Sequence, residues 1–573
     1  MSEAFQVKGG NAAAPFTLKI HRGDGMSLVA MNWRHGKPPK DFVGFAIEYK
    51  EPGGEKFFAL KNRLAFPGPA GEVDPNRLST LRSPIQKFRW VHFPRNAEPP
   101  GKFTYRVTPV FMNAFGELSS GEAQTAALEL RRETYPGKLN VTFTRGFVSS
   151  QAFVDRYADE DGSISNLLPP SADEGLSFVA SHPKAAEALA WMGFEARHAI
   201  LELLDKAIAD PKAEVRVVAY DLSEPDVVSR LERLGSRLKA IVDDSGTHKK
   251  PGSGESQAAK RLRASAGSSH VKRQHLGNLQ HNKTIVVDGP KLKAVLCGST
   301  NFSWRGFFVQ ANNAVIVRGK QAIAPFLAAF DAYWKHGPGA PFGKSPATQW
   351  TSLGLDGIRA KVAFSPHAKE NALLDAIAED VRTGTKSCLF YSLAFLYQTS
   401  GALREAIEAV TEDEELFVYG ISDRKVGGGL DLQKPDGNVA PVFSAALAGD
   451  AVPQPFRAEP VGGGGNRMHH KFLVLDFDRP TARVYLGSYN FSHPADRENG
   501  ENLLLIRDRR VAVAYTIEAL RLFDHYHFRV VQQESAEGLR KLQLARPPKA
   551  GETAWWEKDW TDPRRIRDRE LFA

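Results

Sequence analysis

The chain has 573 residues, 42% of them hydrophobic and 25% charged, enough for two to four domains with large cores that need no disulfide staples. Its two cysteines, Cys297 and Cys388, lie in the apolar runs AVLCGS and SCLFYS, which points to buried free thiols in a reducing compartment. With no run of 18 apolar residues and no apolar signal core at the start, a membrane-spanning helix is excluded and a cytoplasmic location is expected. A formal net charge of +9 with pI near 9.2 favours polyanions, phosphate-bearing substrates or anionic membranes, although over 63.1 kDa the placement of charge matters more than its sum.

Residues 15 to 131 alternate apolar and polar positions in SLVAMNW (27–33), FVGFAIEY (42–49) and KFTYRVTPVF (102–111), separated by turns such as EPGGEK and FPGPAGEVDP. About seven strands are expected, forming a small all-β sandwich within residues 1–137. No catalytic cluster stands out there, so a partner-binding or supporting module is expected. From 138 the pattern is mixed α/β: a helix over 184–210, a strand over 213–222, a helix within 225–244, and the strands KTIVVDG and KAVLCGS. PFLAAFDAYWKH (325–336) closes this first lobe (138–336), and a Gly/Pro-rich linker follows over 337–350. A second lobe (351–535) repeats the order of elements, which implies a duplicated α/β domain whose copies face each other. The tail (536–573) carries AWWEKDW among basic residues. It suits either stacking on nucleic-acid bases or a packed C-terminal strap.

One pattern occurs twice. His281, Lys283 and Asp288 precede GSTNFS, which contributes Ser299 and Asn301. His469, Lys471 and Asp476 precede GSYNFS, which contributes Ser488 and Asn490. On a strand, residues i and i+2 share a face, so each histidine points the same way as its lysine. The following strand delivers a hydroxyl and an amide near a strand end, where α/β sites tend to form. This inventory fits a phosphodiester. Two lysines offset the anionic oxygens, serine and asparagine donate neutral hydrogen bonds, one imidazole attacks phosphorus and the other protonates the leaving oxygen. Neither motif has the ligand set of a magnesium or zinc site, so no metal and no cofactor are expected.

Two complete motifs, each followed by GSxN, resemble the phospholipase D superfamily. The resemblance covers about 138–535 and extends to the RDRELFA ending. It implies two α/β/α lobes, a shared site at their interface, and a phosphohistidine intermediate. It also implies structural roles for Asp288 and Asp476. The N-terminal sandwich resembles a fibronectin type III domain, with Trp33 and Tyr105 at core positions. Thirteen residues after each serine the copies differ, with Asn312 in the first and Glu501 in the second. In relatives such a group is expected to contact the histidine of its own half. A carboxylate raises an imidazole pKa more than an amide does, so His469 is expected to hold the proton as general acid and His281 to attack. Asn313 and Asn502 are expected to be structural at strand ends.

The substrate is less constrained. GSxNFS resembles the bacterial nuclease branch of the superfamily, whereas FSWRG in the first copy leans toward the lipase pattern. Residues 248–275 hold Lys249, Lys250, Lys260, Arg261, Arg263, Lys272 and Arg273 against one acid, Glu255. Their glycines and serines predict a basic loop overhanging the site. Such a loop suits a nucleic-acid backbone or an anionic bilayer, or is merely a solvated insertion. A second insertion (421–467) is a lid candidate. A nuclease is favoured, with a phospholipase D acting on phospholipids as the alternative and a non-catalytic scaffold as the reading from another class. A protein partner for the sandwich is possible, and the oligomeric state stays open.

Overall fold

The computed structural model describes residues 5–67, 78–94, 99–130, 133–146, 157, 167–169, 175–338, 341–393, 396, 401–423, 430–435, 437–442, 468–536 and 542–573. The lid candidate over 421–467 lies mostly outside these residues.

The chain opens with two packed antiparallel sheets. One has Gln6–Lys8, Phe16–Arg22, Ser27–Trp33 and Arg89–His92 in order. The other has Phe58–Ala59, Phe42–Lys50, Lys102–Met112 and Leu118–Ser120, with Gln124–Glu129 also on Lys102–Met112. That makes nine described strands rather than seven, because the short pieces Gln6–Lys8 and Phe58–Ala59 are too brief to show a period of two in sequence. The inward positions Phe16, Leu18, Ile20, Phe42, Phe45, Ile47, Phe103 and Tyr105 form the core, with Trp33 packed at its margin. Tyr105 is fully buried, and its hydroxyl takes a hydrogen bond from Ser27 Oγ (2.8 Å) and contacts His92 Nδ1 (3.0 Å).

The two lobes share one topology. In the first, Lys283–Asp288 lies antiparallel between Lys293–Gly298 and Glu214–Ala219, and the sheet continues outward on either side through Asn313–Arg318 and Leu139–Phe143, and through Leu238–Val242 and Val271–Arg273. In the second, Lys471–Leu475 lies antiparallel between Arg483–Gly487 and Cys388–Leu393, with Glu501–Arg507 and Arg359–Ser365 beyond one and Phe417–Asp423 beyond the other. Both motif strands are apolar on both faces because helices cover both faces. In each lobe a helix follows the last motif-side strand, Lys320–Lys335 in the first and Arg509–Ala536 in the second. The expected linker is packed rather than loose, since Phe342 is buried and stacks on Tyr333 at 3.9 Å.

The lobes meet around the motifs. Parallel bridges join Gln280 to Gly500 and Ala311 to Met468. Gly500 N–H donates to Leu279 O (2.8 Å) and His469 N–H to Ala311 O (3.3 Å). Tyr333 OH donates to Ser365 O at 2.6 Å across the same interface. One apolar core runs through both lobes.

The tail is a strap. Trp555 stacks on Phe88 (5.4 Å) and donates Nε1–H to Phe42 O (3.0 Å), while Trp560 donates to Gly36 O (3.0 Å). Phe572 is fully buried between Phe390, Phe417 and Phe477 of the second lobe, and its carbonyl contacts His21 Nε2 at 2.7 Å. Asp568 pairs with Arg89 of the sandwich at 2.8 Å, and Arg89 also pairs with Asp524 of the second lobe at 2.7 Å. These tryptophans are packed against protein and so leave base stacking without its platform.

Two stability predictions arise. Phe572→Ala removes a buried aromatic that joins sandwich to lobe, and denaturant unfolding should show a loss of about 3–5 kcal/mol; a loss below about 1 kcal/mol would mean the strap does not hold the domains. Burial lowers both His21 and His92 from 6.5 to about 3. Their stabilising contribution is therefore present above pH 6.5 and is lost as pH falls toward 3, because only the unfolded chain takes up the protons in that window. Stability measured against pH should fall over this range, and less steeply in His92→Gln.

Candidate active site

The GS step of each motif is set by backbone. Gly298 and Gly487 have φ of +133° and +146°, and a Cβ there would come within 2.6 Å of Asn313 O and 2.2 Å of Asn502 O. Glycine lets the two strands close, which brings Ser299 and Ser488 to the adjacent backbone. Each serine hydroxyl accepts a backbone N–H, from Asn313 (3.0 Å) and Asn502 (3.0 Å). Each then donates to the side chain thirteen residues on: Ser299 to Asn312 Oδ1 (2.9 Å), and Ser488 to Glu501 Oε2 (2.6 Å).

Those two side chains reach the histidine of the other lobe, which corrects the expected own-half pairing. His281 Nδ1 lies 2.9 Å from both oxygens of Glu501, and His469 Nδ1 lies 2.7 Å from Asn312 Oδ1. The cause is the interface itself: the bridges Gln280–Gly500 and Ala311–Met468 put each strand end beside the opposite motif. Asn312 Nδ2 donates to Gly306 O (2.9 Å), so its oxygen faces His469. Both acceptors require a proton on Nδ1 and leave Nε2 as the reactive nitrogen. The two imidazole centres are 6.5 Å apart.

Lys283 and Lys471 are buried beside them. Lys283 Nζ donates to His281 O, and Lys471 Nζ to His469 O at 2.8 Å. Burial lowers Lys283 to about 8 against the pull of Glu501 and Asp221. Burial and Lys283 hold Lys471 well below its ordinary value. Burial also lowers His281, with Glu501 opposing, and depresses His469 strongly, with Lys471 and Lys283 adding to the effect. Glu501 therefore offsets burial at His281 and not, as the sequence implied, at His469. Two lysines beside the two imidazoles suit the site to an anion.

Asp476 is fully buried and accepts from Lys386 N–H (2.8 Å), Ser387 N–H (2.9 Å) and Thr481 Oγ1–H (3.0 Å), while Asp288 pairs with Lys293. Both lie at the far ends of their strands from the histidines. Asn301 Nδ2 donates to Asp221 Oδ2 at 2.6 Å; its own Oδ1, like that of half-buried Asn490, has no partner among the described residues. Asn502 Nδ2 donates to Asn282 Oδ1 (3.0 Å), and Asn313 Nδ2 approaches His470 Nδ1 (3.4 Å).

The expected basic loop is not a loop. Gly254–Ala266 is an α-helix capped by Ser253, and Val271–Arg273 adds a strand to the sheet. Alanines and a leucine at helical spacing (Ala258, Ala259, Leu262, Ala266) bury one face, outweighing the flanking glycines and serines. Arg261 is paired with Glu232 at 2.6 Å, Lys272 donates to Trp334 O, and Arg273 donates to Asp243 O and His248 O. Lys249, Lys250, Lys260 and Arg263 remain exposed.

Several residues beside the site were not singled out from sequence. Tyr220 has its ring 4.7 Å from that of His281 and 4.9 Å from Lys283 Nζ. Asp221, Asp243, His248 and Glu255 cluster behind it. The available signal was position: Tyr220, Asp221 and Asp243 follow the ends of adjacent parallel strands, where α/β sheets place their sites.

Parts of the chain are similar to known proteins. Residues 204–334 and 450–522 match the family model described as cardiolipin synthase, PLD-like domain. A phospholipase D of Rickettsia prowazekii (strain Madrid E) is 40% identical over 47 residues, or 8% of this chain; the match spans about a fifth (21%) of that protein. Among solved structures, phosphatidylserine synthase of Haemophilus influenzae Rd KW20 aligns with TM-score 0.41 and 12% identity over 60% of this chain and 92% of that one. Nuc from Salmonella typhimurium, a phospholipase D family member, aligns with TM-score 0.21 and 25% identity over 25% of this chain and 88% of that one. The family match falls on both lobes and takes in both motifs, so residues 204–334 and 450–522 are similar to the PLD-like domain that the family model describes.

Proposed function

We propose that the protein hydrolyses phosphodiesters without a metal, through a phosphohistidine, and that its substrate is a nucleic acid. The crossed hydrogen bonds carry this reading: each Nδ1 is held by the opposite lobe, which leaves two Nε2 atoms and two lysines around one space. His281 is the nucleophile. As its Nε2 bonds to phosphorus, positive charge develops on the ring, and Glu501 at Nδ1 stabilises it. His469, held by a neutral amide, gives a proton to the leaving oxygen as the P–O bond breaks. Water then attacks phosphorus, His469 takes its proton, and the P–N bond breaks to restore His281. Burial is the first cause of the depression of His469; bound phosphate offsets the part that Lys471 and Lys283 add, which favours the proton on its ring. The sequence argument assigned the same roles from a Glu501–His469 contact, whereas here the proposal rests on Glu501 at His281.

Nucleic acid is supported by the exposed Lys249, Lys250, Lys260 and Arg263 on the segment that also carries His248. A lipid-facing rim finds less support, because Phe307 and Phe308, the apolar pair directly after FSWRG, are buried. Phospholipid is the second reading, favoured by the cardiolipin synthase description of the family model. Among the described residues no helix is long and apolar enough to cross a membrane. A non-catalytic scaffold is disfavoured by the completeness of both half-sites. The fibronectin-like sandwich, strapped to the second lobe, serves as a supporting or partner-binding module.

Turnover of bis(p-nitrophenyl) phosphate should survive EDTA. His281→Ala and His469→Ala should each lower it by at least ~10²–10⁴, and a covalent phosphoryl adduct quenched in alkaline denaturant should map to His281. Loss of turnover in EDTA with recovery on added Mg²⁺ or Zn²⁺ overturns the metal-free step, and an adduct on His469 reverses the roles.

Neutralising Lys249, Lys250, Lys260 and Arg263 together should weaken DNA binding equally across sequences. Each lost phosphate contact should flatten the slope of log K against log salt by about 0.7–0.9. Weakened binding to anionic vesicles with unchanged DNA binding would favour the phospholipid reading.

A further inference from the structure

A third histidine lies behind the first half-site. His248, on the turn Gly246–Lys249, places Nδ1 2.7 Å from Asp243 Oδ2 and Nε2 3.3 Å from Asp221 Oδ1, with Glu255 Oε2 at 3.9 Å. The opposite oxygens of the two aspartates both lead to the site. Asp243 Oδ1 accepts the N–H of Gln280, the residue before His281, at 2.7 Å. Asp221 Oδ2 accepts from Asn301 Nδ2 at 2.6 Å. The Tyr220 ring lies 4.6 Å from His248 and 4.7 Å from His281.

Proton placement follows from these contacts. Asp243 Oδ2 already accepts from Ser245 N–H (3.0 Å) and Oγ–H (2.6 Å). A neutral imidazole has one N–H; given to Asp243, it would turn a bare Nε2 lone pair toward the Asp221 carboxylate. Only the doubly protonated ring donates to both.

We propose that His248 is a positioning residue whose imidazolium ties Asp221 to Asp243, and so fixes both the Asn301 amide and the chain entering His281. Asp221 settles which end of the Asn301 amide is nitrogen and leaves its second N–H for a phosphoryl oxygen. Burial would lower the His248 pKa, but the hydrogen bonds its ring donates to Asp221 and Asp243, with the Glu255 charge, raise it to about 10. The other groups facing it are Tyr220 and Arg273, which donates to the His248 carbonyl at 2.6 Å. The same three outward atoms of Asp221, His248 and Glu255 lie within 4.8 Å of one another and have the donor types of a metal site. The proton on His248 fills that role.

The kinetic part of this inference rests on the phosphodiesterase reading, and the spectroscopic part does not. In the full-length protein, His248→Gln and Asp221→Asn should each lower kcat on bis(p-nitrophenyl) phosphate by about 10- to 100-fold, part of the ~10²–10³ that losing an oxyanion donor costs, with little change in KM. Added to Asn301→Ala, His248→Gln should cost clearly less than it does alone, the remainder passing through Asp243 and Gln280 to His281. Added to Asn490→Ala, it should cost its full amount. Ring ¹⁵N NMR should find both His248 nitrogens protonated at pH 8, with the midpoint falling in Asp221→Asn. Additive losses with Asn301→Ala overturn the positioning role. A neutral His248 at pH 8, or one Zn²⁺ bound per chain through His248, overturns the imidazolium hub. If the wild type cleaves no phosphodiester, the functional reading fails while the NMR result still decides the hub.

Discussion

The site depends on an exchange of hydrogen bonds between lobes. His281 is held by Glu501 of the second lobe and His469 by Asn312 of the first. Neither lobe alone completes a half-site, so the chemistry requires the interface to be correct to within hydrogen-bond tolerance. The interface is tied at several points. Strand ends bridge at Gln280–Gly500 and Ala311–Met468, the hydroxyl of Tyr333 reaches Ser365 O, and one apolar core runs through both lobes. Glu518 and Arg521 on the second lobe's long closing helix add a buried tie, with Glu518 2.9 Å from His470 Nε2 and Arg521 donating to Arg145 O and Thr144 O.

The exchange also breaks the symmetry of the duplication. With the lobes alike in topology, the chemical difference between the histidines comes from one carboxylate against one amide. Burial acts on both rings and favours neutrality. Glu501 compensates only at His281, the ring on which charge must develop if it attacks. In the proposed mechanism, substrate that offsets the neighbouring lysines helps His469 hold the proton it later gives up.

Most of the fold was legible in the sequence, because duplication, strand periodicity and two full motifs are local signals. The helix over 184–210 is found as Ala185–Ala209, broken by a kink at Phe194 (φ +46°), and the motif strands lie where expected. Three features were not legible, each for a physical reason. The partner of Glu501 depends on how two lobes dock, which no spacing within one lobe encodes. The helix Gly254–Ala266 was hidden because its buried face is mostly alanine, which reads as small rather than apolar among glycines and serines. The carboxylates Asp221 and Asp243 gather around His248 only through the parallel pairing of two strands. The tail carried two possible roles in sequence, and packing of Trp555, Trp560 and Phe572 selects the strap.

The central claim is that the halves exchange partners, and ring ¹⁵N NMR tests it directly. In the wild type both His281 and His469 should show a protonated, hydrogen-bonded Nδ1. Glu501→Gln should perturb the His281 Nδ1–H strongly and leave His469 nearly unchanged. A perturbation confined to His469 would mean that each half holds its own histidine, contradicting the account.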